Sequence, residues 1–512
     1  MRVAIMRPEL NGLLVTSKMA YVTDMRAELP DLYAPYDSGV KGNDLLLSSR
    51  KLTHAILTPM DISFLTQLLW TMGQLREREG WTREHLLAYQ ARAITRLRAY
   101  AYTHSPYYQT FHKGLYGSPV RELPVLTKAM LMEHFDELVT DRNIHLQDVR
   151  NYVSQNREGK LFLDHYRVTA TSGSSGQPGI FLFNTREWQM IISSFARGQE
   201  WSGARVSLLK RRRMATVASI SPWHMSSQVS ASVQSWWTPS IRLPASDPLE
   251  SIVQRLNDWQ PHLLIAYASM ARILAEEQRD GRLHISPNQV FVASEVLTAE
   301  TRKRVKNAWG NEPYNQYGAT ETADIAAEHH QCRHMHLFED LLFIEIVDEH
   351  YQPVAPGSYG SRILVTSLFS RTLPLIRYEL NDSVRLSPDI CDSGLPFAQI
   401  EGIQGRVEDT LQLPTTNGER VAIQPVVFSA IMDVLPVTGW QVIQESDDSL
   451  TVLLSGETDR LADMQLQDQL AQELAAHGAL VPHIRTQRVL AIPKTAAGKM
   501  PLLKAYRPPQ SK

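Results

Sequence analysis

Cysteine is almost absent. Cys332 and Cys391 are the two in 512 residues, too few for a disulfide framework, so the chain reads as a protein of the reducing cytoplasm. Long apolar runs are missing too. None approaches the ~20 residues that a membrane helix needs, and Arg2, Arg7 and Glu9 break the opening stretch where a secretory signal would stay apolar. Charge of one sign is also lacking: the net is −2, which gives no electrostatic reason to bind nucleic acid or an anionic membrane. There is no internal repeat and no low-complexity tract. The Ser/Gly-rich stretch Thr171–Gly179 lacks a Walker lysine, because Gln177 follows Gly176, and this excludes a P-loop NTPase.

What is present describes a soluble globular protein, 43% hydrophobic and 21% charged. Its length exceeds one ordinary core and predicts at least two domains. Residues 1–80 carry no readable chemistry and are expected to pack on the large domain. A helix is predicted from Thr82, its cap, with Leu87, Ala91, Ile94, Leu97 and Ala101 on one face, ending at His104-Ser105-Pro106. A second helix is predicted to start near Thr127. Over 262–310, apolar β-rich runs alternate with amphipathic segments, which implies a largely parallel sheet flanked by helices. Ligands bind at the carboxyl ends of such strands, and Ser294-Glu295 follows one of them. After Gly405 the order becomes β, α, β, β, α, β, a small α+β unit. The expected boundaries are 81–406 for a large domain and 407–512 for a small one. Lys210-Arg211-Arg212-Arg213 reads as a solvated basic surface, with a phosphorylated cosubstrate as the lesser reading.

Hydroxyls and open backbone N–H groups at Thr171, Ser172, Gly173, Ser174, Ser175 and Gly176 suit an anionic phosphate tail. Downstream come NQYGATETAD (315–324), PLIRYELND (374–382), GRVEDTL (405–411) and PKTAAGK (493–499). In this order the five segments resemble the adenylate-forming superfamily of acyl- and aryl-CoA ligases, its phenylacetate–CoA ligase branch in particular, over roughly 80–507. The resemblance implies an α/β fold: a large N-terminal AMP-binding domain with mainly parallel sheets flanked by helices, plus a small mobile α+β C-terminal domain carrying a catalytic lysine.

By that resemblance the serine-rich loop wraps the β- and γ-phosphates of ATP, with Gln177 in place of a frequent lysine. Tyr317 stacks on adenine beside Gly318, Thr320 contacts the α-phosphate, and Glu321 holds Mg²⁺, a hard cation suited to a carboxylate oxygen. Asp382 takes the ribose hydroxyls, preceded by Asn381 where the family has glycine. Arg406 reaches the ribose–phosphate side, and Glu408 and Asp409 form the hinge. Lys499 bridges the attacking carboxylate and the α-phosphate. Ser294 and Glu295 join the nucleotide wall, and Trp223, His224 and Ala319 line the acid pocket. Arg377 reads either as an ion-pair residue at the core edge or as part of the nucleotide wall.

The implied reaction is ATP-dependent activation of an aromatic or arylacetic acid to an acyl-AMP, with pyrophosphate release. Transfer to a nucleophile follows. The CoA thiol leads, with an amine or a carrier-protein thiol as alternatives and a homodimer left open. A rival of another class is a non-catalytic nucleotide- or acid-binding member; a third is a phosphohydrolase or kinase. The cluster Glu328, His329, His330, Cys332, His334 and His336 reads first as a polar loop and secondarily as a zinc site, since it lacks a CxxC pair and has no second cysteine near it in sequence.

Overall fold

The structure is a computed structural model that describes residues 59–155, 160–171, 178–203, 211–235, 238–389, 391–406, 410–432, 435, 437–456, 460–495 and 498–506. The predicted phosphate-loop residues Ser172, Gly173, Ser174, Ser175 and Gly176, the hinge pair Glu408 and Asp409, Lys210 of the basic run, and residues 1–58 lie outside them. The chain divides at Pro59, and the architecture belongs to the second unit, Met60–Lys512.

Its centre is a nine-stranded sheet. Five strands run parallel in the spatial order Ser240–Pro244, Met214–Ala218, Leu263–Tyr267, Gln289–Ala293 and Tyr314–Ala319. The sheet then continues antiparallel through Ala323–Glu328, Met335–Leu337, Gln399–Arg406 and Asp382–Leu386. The strand–helix alternation over 262–310 produces the parallel half, with helices Ala268–Arg279 and Ala299–Trp309 where the periodicity predicts them. Leu256, Met270, Leu274 and Val305 pack there against Val217, Leu264 and Val292. The helix Thr185–Trp201 packs against the Ala323–Glu328 strand. Its Asn184–Glu187 capping box starts it, and Glu187 also accepts from the Thr372 N–H and hydroxyl.

Residues 411–506 build a core of their own around Phe428, Trp440, Val452 and Leu470. Their four-stranded sheet has the order His483–Val489, Ser449–Ser455, Gly439–Ser446, Leu503–Lys504, with helices Pro425–Met432 and Arg460–Ala476.

Thr82 caps the helix Arg83–His104 by accepting from the His85 N–H, and Ser105 ends it. The buried stripe is Leu86, Gln90, Ile94, Leu97 and Ala101, so Leu87 and Ala91 lie off the core face, contrary to expectation. The reason is Gln90. Its Nε2 donates to the Glu339 carbonyl at 2.7 Å, and a satisfied amide is buried where an apolar pattern predicts none. A helix at Pro59–Glu79, in the region the sequence left unread, is tied in by charge. Glu79 accepts from the Trp201 indole at 2.8 Å, and Arg78 reaches Asp340 at 3.3 Å.

Candidate active site

Four elements converge at the carboxyl ends of the parallel strands. The Tyr314–Ala319 strand carries Tyr317, whose hydroxyl donates to Asp382 Oδ2 at 2.8 Å. Arg406, at the end of the Gln399–Arg406 strand, sits 3.7 Å from Asp382 Oδ1. Strand pairing sets this meeting, because Asp382 and Arg406 are direct register partners. The turn after Ala319 brings in half-buried Thr320 and buried Glu321. Burial pushes the Glu321 carboxyl up, opposed by the charges of Arg406 and Lys128. A desolvated carboxylate facing two cations is a suitable oxygen donor for a hard divalent ion.

Gly318 is required by close approach. A Cβ there would lie 2.7 Å from the Ala323 carbonyl oxygen and 3.1 Å from Asp324 Oδ1. The register slips between Tyr317 and Gly318, the kind of irregularity that re-aims side chains beside active sites.

The serine-rich stretch joins the antiparallel pair Arg167–Ala170 and Ile180–Phe183. Its neck is closed by two hydrogen bonds, Thr171 N–H to the Gly179 carbonyl at 2.9 Å and Gly179 N–H to Thr171 Oγ1 at 2.8 Å. Sequence reasoning missed Lys128. It opens the helix Lys128–Glu133 behind the Thr127 cap, lies against Gly179 and feels Glu321. It therefore places a cation beside Gly179, at the neck of that stretch. Nothing in the local sequence marks it, since the contact depends on tertiary packing.

Lys499 stands at the same strand ends. Its Nζ is 3.4 Å from the Ser294 carbonyl oxygen and 5.5 Å from the Tyr267 ring centroid. Ser294 has φ of 68°, a left-handed conformation uncommon outside glycine and a frequent mark of functional loops. The loop before Lys499 docks through three further contacts. Lys494 Nζ donates to the Ala245 carbonyl at 2.7 Å. Gly498, with φ of 80°, passes so close that a Cβ would lie 2.7 Å from the Ala245 Cβ. Glu295 accepts from Met500 N–H at 2.9 Å and from Ser269 N–H at 2.8 Å. Glu295, predicted in the nucleotide wall, thus has one oxygen on a helix start and the other on the lysine loop. Farther out, Arg272 and Arg304 donate to the carbonyls of Thr438 and Val437 at 2.6 and 3.2 Å.

His224 precedes the helix Met225–Val233. Burial, together with the Lys499 charge, holds its imidazole below the ordinary value, so it is neutral at physiological pH. The Trp223 ring packs edge-on against Tyr152 at 5.3 Å, with the Ala170 N–H on its carbonyl. Half-buried Ala319 follows Gly318. Arg377 is buried 3.1 Å from Glu345, which favours the ion-pair reading over the nucleotide wall.

The histidine-rich cluster separates into two parts. Glu328 pairs with Arg302 and Arg333 at 2.5 and 3.3 Å. Cys332, His336 and Cys391 present donor atoms within 4.8 Å of one another. The fold supplies the second cysteine that the sequence does not place nearby. His336 Nδ1 lies 3.2 Å from the Phe397 carbonyl, leaving Nε2 3.4 Å from Cys332 Sγ. An imidazole oriented by a backbone carbonyl beside two thiols is a donor set that suits zinc.

No family model matches the chain. A phenylacetate–coenzyme A ligase of Thermus thermophilus is 24% identical over 393 residues, covering 73% of this chain and 81% of that protein. Protein CapK of Staphylococcus aureus is 23% identical over 401 residues, covering 74% and 79%. Among solved structures, 2-hydroxyisobutyryl-CoA ligase in the postadenylation state with 2-HIB-AMP superposes with a TM-score of 0.67 at 19% identity, covering 84% of this chain and 92% of that one. The same ligase in its thioesterification state with CoA gives 0.54. The strand ends that gather Tyr317, Asp382, Arg406 and Lys499 belong to a chain similar in sequence to phenylacetate–coenzyme A ligases, with the fold of 2-hydroxyisobutyryl-CoA ligase.

Proposed function

We propose that this chain activates a carboxylic acid with ATP and passes the acyl group to the thiol of CoA. The observation that carries the reading is the docking of Lys499, from residues 411–506, onto the strand ends that hold Tyr317, Asp382 and Arg406. A carboxylate oxygen attacks the α-phosphorus of ATP and pyrophosphate leaves; the thiol sulfur then attacks the acyl carbon and AMP leaves. The first step brings two anions together. Their repulsion at ~4 Å is about 4 kcal/mol at an effective dielectric near 20, and an ammonium between them offsets it.

Asp382, held by Tyr317 and Arg406, presents its carboxylate to a vicinal diol such as ribose. Lys128 and the serine-rich loop supply positive charge and donors to the phosphates. Glu321 and the phosphate oxygens suit Mg²⁺, which would neutralise charge on the departing pyrophosphate. His224, neutral beside Lys499, borders the acid pocket with Trp223 and Ala319. For the thiol step Lys499 withdraws by rotation about 407–409, the hinge expected around Glu408 and Asp409. The contacts it gives up include the Ser294 carbonyl and the Tyr267 ring. An amine or a carrier-protein thiol would use the same first step.

Pyrophosphate release across a panel of acids, with CoA, amines and no acceptor in parallel, tests the reading. Acid-dependent AMP and pyrophosphate are expected, with a thioester when CoA is present. ADP and phosphate, or no nucleotide turnover, would reject it. The Cys332–His336–Cys391 cluster favours a structural zinc: about one equivalent of zinc should co-purify, and Cys391→Ser should lose it.

A further inference from the structure

Tyr267 closes the parallel strand Leu263–Tyr267 and meets both of that strand's neighbours. Register sets it beside Ala293 on one side, so Ser294 and Glu295 come next to it. On the other side Met214–Ala218 pairs with the same strand and runs on into Ser219. The Ser219 N–H donates to the Tyr267 hydroxyl at 2.9 Å. Ser219 opens the short segment that leads to Trp223 and His224. The ring is 4% exposed, and Lys499 Nζ lies over it, 5.5 Å from the centroid. One side chain thus meets the root of the acid-pocket segment with its hydroxyl and the ammonium with its ring.

An aromatic face attracts an ammonium within about 6 Å, and more strongly where water is excluded. Burial pushes the Tyr267 hydroxyl up to about 12, against the Ser219 N–H, so the ring stays a neutral phenol. That matters for a lysine whose charge is to be shared by a carboxylate and an α-phosphate. A carboxylate at this position would pair with the ammonium and hold it back; a ring orients it and leaves its charge to spend. The second contact is uncharged as well: the Ser294 carbonyl, on a residue with φ of 68°, lies 3.4 Å from Nζ. Glu295, the nearby anion, has its oxygens on the Ser269 and Met500 N–H groups.

We propose that Tyr267 is a positioning residue for Lys499, a ring fixed at Ser219 that steers the ammonium without neutralising it. This rests on the acid-activating reading above and names what holds its lysine.

The test uses the full chain and two readouts. The first is the rate of each half-reaction: acid-dependent pyrophosphate release, and transfer from a supplied acyl-adenylate. Tyr267→Leu should slow pyrophosphate release about tenfold, the scale of a desolvated cation–ring contact, and leave transfer at the wild-type rate. Tyr267→Phe, which keeps the ring, should retain most of the release rate. In a Lys499→Ala background Tyr267→Leu should cost little more, because residues that act through one another are not additive. A tenfold loss that persists in that background, equal loss in both half-reactions, or a phenylalanine variant as slow as the leucine one would overturn the proposal. The second readout needs no activity: acetic anhydride labelling of Lys499, measured by mass spectrometry against exposed Lys303. Tyr267→Leu should raise that ratio at least about threefold, and an unchanged ratio would overturn the proposal. Tyr267→Met, a flexible filler of the same space, replaces the leucine variant in both readouts if the latter does not fold. If no acid releases pyrophosphate from wild-type protein, the ligase reading fails, and the labelling ratio alone decides whether Tyr267 holds Lys499.

Discussion

Two buried aspartates in the same unit show what a partner does to a charge. Asp340 is 0% exposed and receives two 2.7 Å hydrogen bonds from Arg197 and a third from Arg78 at 3.3 Å. Burial pushes its carboxyl up, but the two arginines outweigh that and hold it below the ordinary range. Asp324 is as deeply buried, and burial alone drives its carboxyl well above the ordinary value. The first region joins the helices Pro59–Glu79 and Thr185–Trp201 to the loop at 340 and gives each Asp340 oxygen a guanidinium donor. The second lies beside Gly318 with its Oδ2 unpartnered. Residue type and depth are matched; the supply of cations separates a carboxylate held in its charged form from one pushed toward its neutral form.

Breaking the tie should have the largest effect. Asp340→Ala leaves buried Arg197 with only Glu79 among the described carboxylates, 3.7 Å from its Nε, and should cost about 3 kcal/mol, read as a lowered midpoint in urea. Asp324→Ala, by contrast, should cost far less; equal losses would erase the distinction. Next comes Lys499, whose Nζ lies by the Ser294 carbonyl and the Tyr267 ring. Lys499→Ala should slow adenylation by about 10²–10³-fold, the scale for losing one transition-state donor, while a supplied acyl-adenylate still reacts with its acceptor. Equal loss in both half-reactions would remove Lys499 from its assigned role.

Lys128→Ala should raise the KM for ATP by about tenfold with the fold intact, the scale of one charge-assisted contact at ~1.4 kcal/mol. An unchanged KM would reduce Lys128 to a surface residue. The smallest effect sharpens the comparison through pH. Asp340 has a depressed folded pKa, so its stabilisation is complete above the unfolded value of about 3.9 and is lost as pH falls through the folded value. Asp324 has a raised folded pKa, so its contribution is complete below about pH 3.9 and is lost as pH rises toward the folded value. Urea midpoints of Asp340→Asn and Asp324→Asn against wild type should therefore diverge with opposite slopes. Parallel slopes would mean that both aspartates have the same surroundings.

The candidate site could be named in sequence because its residues lie in short segments whose order carries the resemblance. Tyr317, Asp382, Arg406 and Lys499 fall together without being neighbours in sequence. The alternation of apolar runs located the parallel half of the sheet and the small C-terminal unit. The rest was hidden for physical reasons. Gln90 occupies a core position that no apolar pattern reveals. Cys391 meets Cys332 only because the Gln399–Arg406 strand pairs with Met335–Leu337. Lys128 and Asp324 look like ordinary surface and turn residues until packing decides what surrounds them. Charge in the helix Pro59–Glu79 reads as solvated until Asp340 and Trp201 are brought against it.

Glu295 has a bearing on how cheaply the catalytic tail can come and go. One of its oxygens accepts from the Ser269 N–H at a helix start, and the other from the Met500 N–H of the tail. On departure the carboxylate keeps its grip on the helix and regains water on its free side, so neither party is stranded. A clasp with one side on the helix and the other on the tail would suit the proposed rotation, in which only one side has to open.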